Sequence, residues 1–426
     1  MKILVITYPC SPYRGSEFSV SWNFVQNMSK HHELYVLYGT SGNGFGNVSE
    51  MNAYLNEHPM PNVHFIDVQS PQNLRAFFLA FCRKLNYLFG SYFQYKYWHK
   101  QVHQTAKELV AKEKIDIIHF LNPIGFKEPG ECWKIKNIPY VWGPLQAVEN
   151  RPSALYKALD KKEKIGALGR LILHNGIFML SHKIRQAMHR ADVLFAATPN
   201  TGHMIKKFYH RDAIYLPENG IVKINRMSPI TFQQGQTLQL IWIGALCPRK
   251  ALIILLDALS HTRSRQWHLD VIGGGDLFKQ LKKKSELLGI DCHITWHGNI
   301  PRTEVLQLMK TAHLHVISSL GEATTTVLWE AMSWAVPTMT LDHCGMAGVV
   351  CKKCGIKIPI HSYKQVVTDM AEHIDHLIEQ PEIIGQLSQG VIECSEKFMW
   401  SNRIKIFNDV YEEICNKYSI NQYYQI

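Results

Sequence analysis

The sequence predicts an α/β protein made of two doubly wound parallel-sheet units of roughly 200 residues each. Three observations carry that reading. Apolar strand-like runs alternate with amphipathic helical stretches, and the alternation occurs twice along the chain. The strand-like runs are short, apolar on both faces and bounded by turn residues, as in sheets covered on both sides. At 426 residues, 46% hydrophobic and 19% charged, the chain is long enough to build two full cores.

The elements follow in order. Residues 1–8, Met-Lys-Ile-Leu-Val-Ile-Thr-Tyr, are too short an apolar run for a signal peptide and read as a first buried strand. Strands are expected at 3–7, 33–38, 63–67, 115–120, 140–142 and 193–197, with helices such as 19–30 and 101–112 between them. The second half repeats the pattern, with strands at 238–243, 269–272, 293–297, 315–318 and 338–341 and helices at 251–259, 278–288 and 303–310. Turn residues Pro217, Glu218, Asn219 and Gly220 mark the join, giving units 1–218 and 219–399. A final helix around 404–417 follows Trp400.

Composition narrows the class. No run of 18 apolar residues occurs, so no membrane span is expected. The ten cysteines are scattered and read as reduced thiols of a cytoplasmic protein. Cys351 and Cys354 form a single C-x-x-C, with His343 and Cys344 nearby; metal or redox chemistry there is the lesser reading beside plain core thiols. The net charge of +11 asks for an anionic partner. No helix-turn-helix, zinc-finger or RNP pattern is present, which argues against nucleic acid. The segment 73–100 interleaves ten aromatics with five cations and has no acid. It reads either as a peripheral surface for the anionic inner face of the plasma membrane or as a core helix. The basic stretch 157–170, running into Leu171, Ile172 and Leu173, leans toward the membrane.

Ligands of open α/β sheets bind beyond the carboxyl ends of the strands, so the loops there are where chemistry belongs. Most informative is the run from Ser318 to Met332, where Glu322 and Glu330 stand eight residues apart. On one helix they would lie within roughly 80° of each other and about 12 Å apart along the axis. Between them Ala323, Thr324, Thr325 and Thr326 would offer the unpaired amides of a helix start, which suit phosphate. Two carboxylates suit sugar or ribose hydroxyls, and together these groups describe a nucleotide-sugar pocket. The plainer alternative makes Glu322 an ordinary helix-start acid and pairs Glu330 with an arginine.

Ser318-Ser319-x-x-Glu322 followed by Glu330-Ala331-Met332 and Pro337 resembles the donor-site signature of the GT-B glycosyltransferases of family 4. The resemblance implies two Rossmann-like domains facing a central cleft, with the C-terminal helix 400–426 crossing back onto the first. It also implies transfer from a nucleotide-diphosphate sugar with retention of configuration, in settings such as lipopolysaccharide or exopolysaccharide assembly. In that scheme Glu330 holds the ribose hydroxyls and Glu322 those of the donor sugar. Gly244 opens the donor-side loop after the strand 238–243, and Arg249 and Lys250 at its end stabilise the departing diphosphate; a solvated basic turn is the plain alternative. The family's Gly-Arg arginine is Ala245 here. Gly274 and His297 fall at family positions near the nucleotide. In the first unit Gly15, Ser16 and Glu17 form the glycine loop facing the donor, unless they are simply a tight turn. Asp116-x-x-His119 matches a common family motif, with His119 touching substrate or, failing that, sitting satisfied in the core. Glu17, Asn122 and Gly143 are expected on the acceptor side, which would take a glycan or lipid-linked acceptor. No metal and no cofactor beyond the UDP- or GDP-linked co-substrate are expected, because no Asp-x-Asp pair occurs. A non-catalytic nucleotide-sugar-binding scaffold of the same fold, or a nucleotide-sugar epimerase, remains the alternative.

Overall fold

The computed structural model describes residues 1–39, 48–69 and 90–423. They form two compact units. The first comprises Met1–Ala147, Asn175–Asn219 and Trp400–Ile426; the second comprises Val148–His174 and Gly220–Met399.

The first unit is built on β1 (Lys2–Thr7), β2 (Glu33–Tyr38), β3 (Val63–Asp67), β4 (Ile117–Asn122), β5 (Tyr140–Leu145), β6 (Val193–Ala196) and β7 (Ile214–Tyr215). These pair in parallel in the order β3-β2-β1-β4-β5-β6-β7. Ile3, Leu4, Val5 and Ile6 are all buried, so consecutive residues of β1 are covered on both faces. One layer of that cover is the helix Glu17–Met28, whose Phe24, Val25 and Met28 enter the core. The helix Trp400–Tyr423 joins the same core, its Phe407 packing edge-on against Phe24 at 5.1 Å between ring centres.

The second unit holds β8 (Leu238–Ile243), β9 (Trp267–Ile272), β10 (Ile294–Gly298), β11 (Leu314–Ile317), β12 (Thr338–Leu341) and β13 (Gly355–Ile358). They are parallel, in the order β10-β9-β8-β11-β12-β13. The order reverses at β8, which makes the loops after β8 and β11 the topological switch point of this sheet.

Three features depart from the sequence reading. Residues 148–174 cluster with the second unit, where Leu155, Leu159 and Ala167 enter its core and Lys157 lies over the Tyr363 ring. Two edge strands, β7 and β13, were not foreseen: the first is only two exposed residues, and the second only four residues directly after the C-x-x-C turn. Of the aromatic segment 73–100, residues 73–89 lie outside the described residues. Its later part is the helix Gly90–Glu113, where Trp98 and His99 are buried and Tyr95 and Trp98 pack on Tyr8, so this part serves the core.

Candidate functional site

The switch-point loops of the second unit interlock through main chain. Gly244 donates to the Ile272 carbonyl and Leu246 to that of Gly274, each at 2.9 Å. The glycines after β9 permit this. A Cβ on Gly273 would stand 2.1 Å from the Gly244 oxygen, and one on Gly275 would stand 2.5 Å from that of Leu246. Both also take positive φ, 123° and 155°. Gly274 sits against the Asn299 side chain. His297 Nε2 lies 2.7 Å from Asp270 Oδ1, one strand over.

The cation loop is held from the β11 side. Ser318 accepts from Trp242 Nε1 at 3.1 Å and donates to the Lys250 carbonyl at 2.9 Å. Leu320 N–H donates to the Arg249 carbonyl at 2.8 Å. The Lys250 stem lies along Gly244, where a Cβ would be 3.3 Å from its Cδ. With its backbone fixed, Lys250 places Nζ 2.7 Å from Glu322 Oε1, and the Arg249 guanidinium reaches the same oxygen. Lys250 and Glu322 are largely buried, while Arg249 is partly exposed. One carboxylate thus gathers two cations at the carboxyl ends of β8 and β11.

The helix bearing Glu330 runs Thr326–Ser333, capped by Thr325, whose hydroxyl accepts from Leu328 N–H. Its start corrects the helical spacing expected for the glutamates: Glu322 lies before the helix, so the two are not on one helical face. Ala323 and Thr324 also precede it, leaving Thr326 and Val327 as first-turn amides without an intrahelical acceptor. The 322–324 loop is fixed by the next turn. Gly345 N–H donates to the Glu322 carbonyl at 3.3 Å, and a Cβ on Gly345 would collide with the Ala323 oxygen at 1.5 Å. Glu330 is mostly buried and pairs with the exposed Arg302 at 2.7 Å. Burial raises its pKa, and Arg302 opposes the rise. The plain alternative of an arginine partner therefore describes Glu330 as it stands. Asn299 falls beside His297 at a family position near the nucleotide, whereas Arg302 and Asp270 had no place in the sequence reading; the proline at 301, ahead of a helix that starts at Arg302, is the signal that could have marked Arg302.

In the first unit the structure corrects His119. The ring is fully buried among Phe24, Phe195 and Phe407. Its Nε2 donates to the Gly143 carbonyl at 2.6 Å, which leaves Nδ1 to accept from the Tyr411 hydroxyl. Burial lowers its pKa to about 4, against the weaker pull of that carbonyl. Both nitrogens are used, so His119 is a core residue and no substrate contact. Gly143 shares this structural role: it is buried at φ 124°, and a Cβ would stand 2.4 Å from the Phe195 oxygen. Asn122 is also buried and donates to the Glu17 carbonyl at 2.7 Å and to the Ser21 hydroxyl at 2.8 Å. These bonds tie it to the start of the first helix; they are no acceptor contact. Gly15 and Ser16 are exposed, Ser16 capping that helix at φ 57°, and a Cβ on Gly15 would meet nothing within 4 Å. Glu17 is half-buried with its pKa raised by desolvation.

Residues 225–392 match the family model described as glycosyl transferases group 1. Over nearly its whole length the chain superposes on the lipopolysaccharide outer core galactosyltransferase WaaB, with a TM-score of 0.67 at 15% identity and coverage of 97% of this chain and 100% of that one. Anabaena HepE in complex with UDP follows at 0.64 and 14%, with the same coverage. The fold is GT-B. Among curated relatives, an uncharacterised glycosyltransferase of Methanocaldococcus jannaschii is 26% identical over 190 residues, 44% of this chain and 51% of that one. The lipopolysaccharide 1,6-galactosyltransferase of Escherichia coli is 30% identical over 114 residues, 26% of this chain and 32% of that one. The chain thus spans about half the length of the first and a third of the second. A second family model, described as dUTPase, matches 47–160. That stretch includes β3, β4 and β5, which pair within the GT-B sheet of the first unit and so form no module apart from it. Chemically, the second GT-B unit offers two cations on one carboxylate, a buried carboxylate on an exposed arginine, and a helix start, all at one end of its sheet.

Proposed function

We propose that this chain is a metal-independent retaining hexosyltransferase moving a sugar from a nucleotide-diphosphate sugar to a glycan or lipid-linked acceptor in polysaccharide or lipopolysaccharide synthesis. The observation that carries the reading is the Arg249–Lys250–Glu322 cluster at the switch point. In the proposed reaction the bond from the anomeric carbon to the diphosphate oxygen breaks while the acceptor oxygen bonds on the same face. The acceptor's proton passes to the leaving phosphate, and Lys250 and Arg249 take up the charge that develops there. Glu322 keeps both cations in place until the diphosphate competes for them, then turns to the sugar hydroxyls. Glu330 takes the ribose hydroxyls, with Arg302 keeping it ionised. The UDP bound to HepE favours a UDP-linked donor over a GDP-linked one.

The acceptor side of this reading is a peripheral position on an anionic membrane. Among the described residues no helix is long and apolar enough to cross one. The support is the part of the helix Lys161–Leu180 that lies in the second unit, which buries Ala167 and turns Ile165, Leu168, Ile172 and Leu173 outward, each more than half exposed. The exposed cations Lys161, Lys162 and Arg170 flank them. Large apolar side chains ringed by cations suit an anionic bilayer better than a nucleic acid or an acidic protein.

The test is a panel of UDP-, GDP- and ADP-sugars assayed without added divalent cation, alongside thermal shifts with each nucleotide. A ligand at 100 times its dissociation constant adds about 2.7 kcal/mol. One nucleotide should stabilise the chain and its sugar should be transferred. Stabilisation without turnover on any acceptor would make the chain a scaffold. Undiminished stabilisation in Glu330→Gln would remove Glu330 from the site.

A further inference from the structure

Three cysteines converge in the second unit, away from the cation loop. Cys351 Sγ lies 3.4 Å from Cys354 Sγ and 3.6 Å from Cys394 Sγ, and all three sulfurs fall within 4.8 Å of one another. Cys351 and Cys354 come from the turn before β13, Cys394 from the helix Glu382–Ser395. The approach of that helix depends on a glycine one turn earlier. A Cβ on Gly390 would stand 1.9 Å from the Lys353 carbonyl oxygen, so only glycine lets the helix come near enough for Cys394 to reach the turn.

The turn itself is shaped to hold thiolates. The Lys353 and Cys354 amides hydrogen-bond the Cys351 sulfur, and the Cys351 amide donates to the Cys354 sulfur at 3.2 Å. Such bonds stabilise sulfur anions more than neutral thiols. The exposed Lys352, Lys353 and Lys397 supply positive charge alongside. Around the sulfurs lies an apolar shell that includes Trp329, Met332, Met346 and Val391. Cys354 and Cys394 are buried and Cys351 is part-exposed, so one side of the cluster opens to solvent.

Tetrahedral zinc binds cysteine at about 2.3 Å, which separates its sulfurs by roughly 3.8 Å. The two separations from Cys351 need adjustments of only a few tenths of an ångström, while the third, within 4.8 Å, closes by up to about 1 Å. We propose that Cys351, Cys354 and Cys394 form a zinc site with three thiolate ligands and a fourth position open to water. Binding releases the three thiol protons to solvent, exchanges no electrons, and leaves a complex of net charge −1 beside the three lysines. The ion would fasten the turn before β13 to the helix Glu382–Ser395, behind the helix that carries Glu330. Its role is structural and separate from sugar transfer, so failure of either reading leaves the other standing.

The full chain, purified under reducing conditions and stripped of metal, should bind one Co²⁺ with the intense near-ultraviolet thiolate-to-metal absorption of a tetrahedral site. Zn²⁺ should displace that absorption stoichiometrically. Cys394→Ser should weaken Zn²⁺ binding at least tenfold, whereas serine at the exposed Cys292 should change nothing. Absence of thiolate absorption in the unaltered protein, or an equal effect of the two substitutions, would overturn the proposal. A Cys351–Cys354 disulfide persisting in reductant would do the same. Because the spectrum is read on the unaltered chain, misfolding of Cys394→Ser cannot rescue the idea.

Discussion

Lys250 and Arg249 converge on Glu322 because their backbone is fixed from two sides, by Gly244 beneath the lysine stem and by Ser318 and Leu320 across from it. A preset cation needs no reorganisation when charge develops, which is where such groups have their largest effect. Lys250→Ala should therefore lower kcat by about 10²–10³ with little change in Tm. A similar loss in KM alone would assign Lys250 to ground-state binding. His119→Ala should behave oppositely. It removes a core ring and both of its bonds, costing about 2–4 kcal/mol, while turnover per folded molecule stays constant. Unchanged stability with lost turnover would restore His119 to the active site. The contrast explains what the sequence could reveal of single residues. Glu322 and the cations stood out because the residues around them resemble a donor-site signature, although each alone has a plain explanation. His119 misled because a histidine at a strand's end looks the same in sequence whether it faces solvent or, as here, a tyrosine 292 positions away.

At the level of elements, most strands were legible because they carry apolar runs buried on both faces, such as residues 3–6 of β1 and 34–37 of β2. Their pattern fixes the element whatever its neighbours do. The short edge strands β7 and β13, two and four residues long, lack that redundancy and escaped notice. The helix Thr326–Ser333 was legible in kind, but it starts after Ala323 and Thr324, because Thr325 caps it and the chain before it is drawn to Gly345. The helix Lys161–Leu180 carries its own prediction. Ile172 and Leu173 are exposed, so replacing both with glutamate should leave stability within about 0.5 kcal/mol per site. Cosedimentation with vesicles containing anionic lipid should nevertheless be lost. Equal binding of the original chain to neutral and anionic vesicles would count against the electrostatic part of the surface.

For the molecule as a whole, each unit conceals histidines that stay neutral. Burial lowers His119 to about 4 and His99 to about 3 in the first unit, and His315 to about 3 in the second. Unfolded, each would titrate near 6.5, so on acidification from there toward 4 the unfolded chain binds protons that the folded chain refuses. Stability is then full above about pH 7 and falls below it, by up to about 1.4 kcal/mol per pH unit for each histidine. Tm measured from pH 7.5 to 5 should decline for both units; a flat profile would show that these rings find protons without unfolding.

The bond between His119 and Tyr411 also has a temporal meaning. Residues 1–147 and 175–219 leave the ribosome long before Trp400, yet the core they build includes Phe407 and Tyr411. The second unit consists of Gly220–Met399 and the earlier segment Val148–His174, all synthesised before Trp400, so it can close first. Until the last helix arrives, the nascent first unit carries an imidazole and an aromatic cluster with one wall missing. Along this chain, the unit whose first strand is made earliest waits for the helix Trp400–Tyr423 to complete its core.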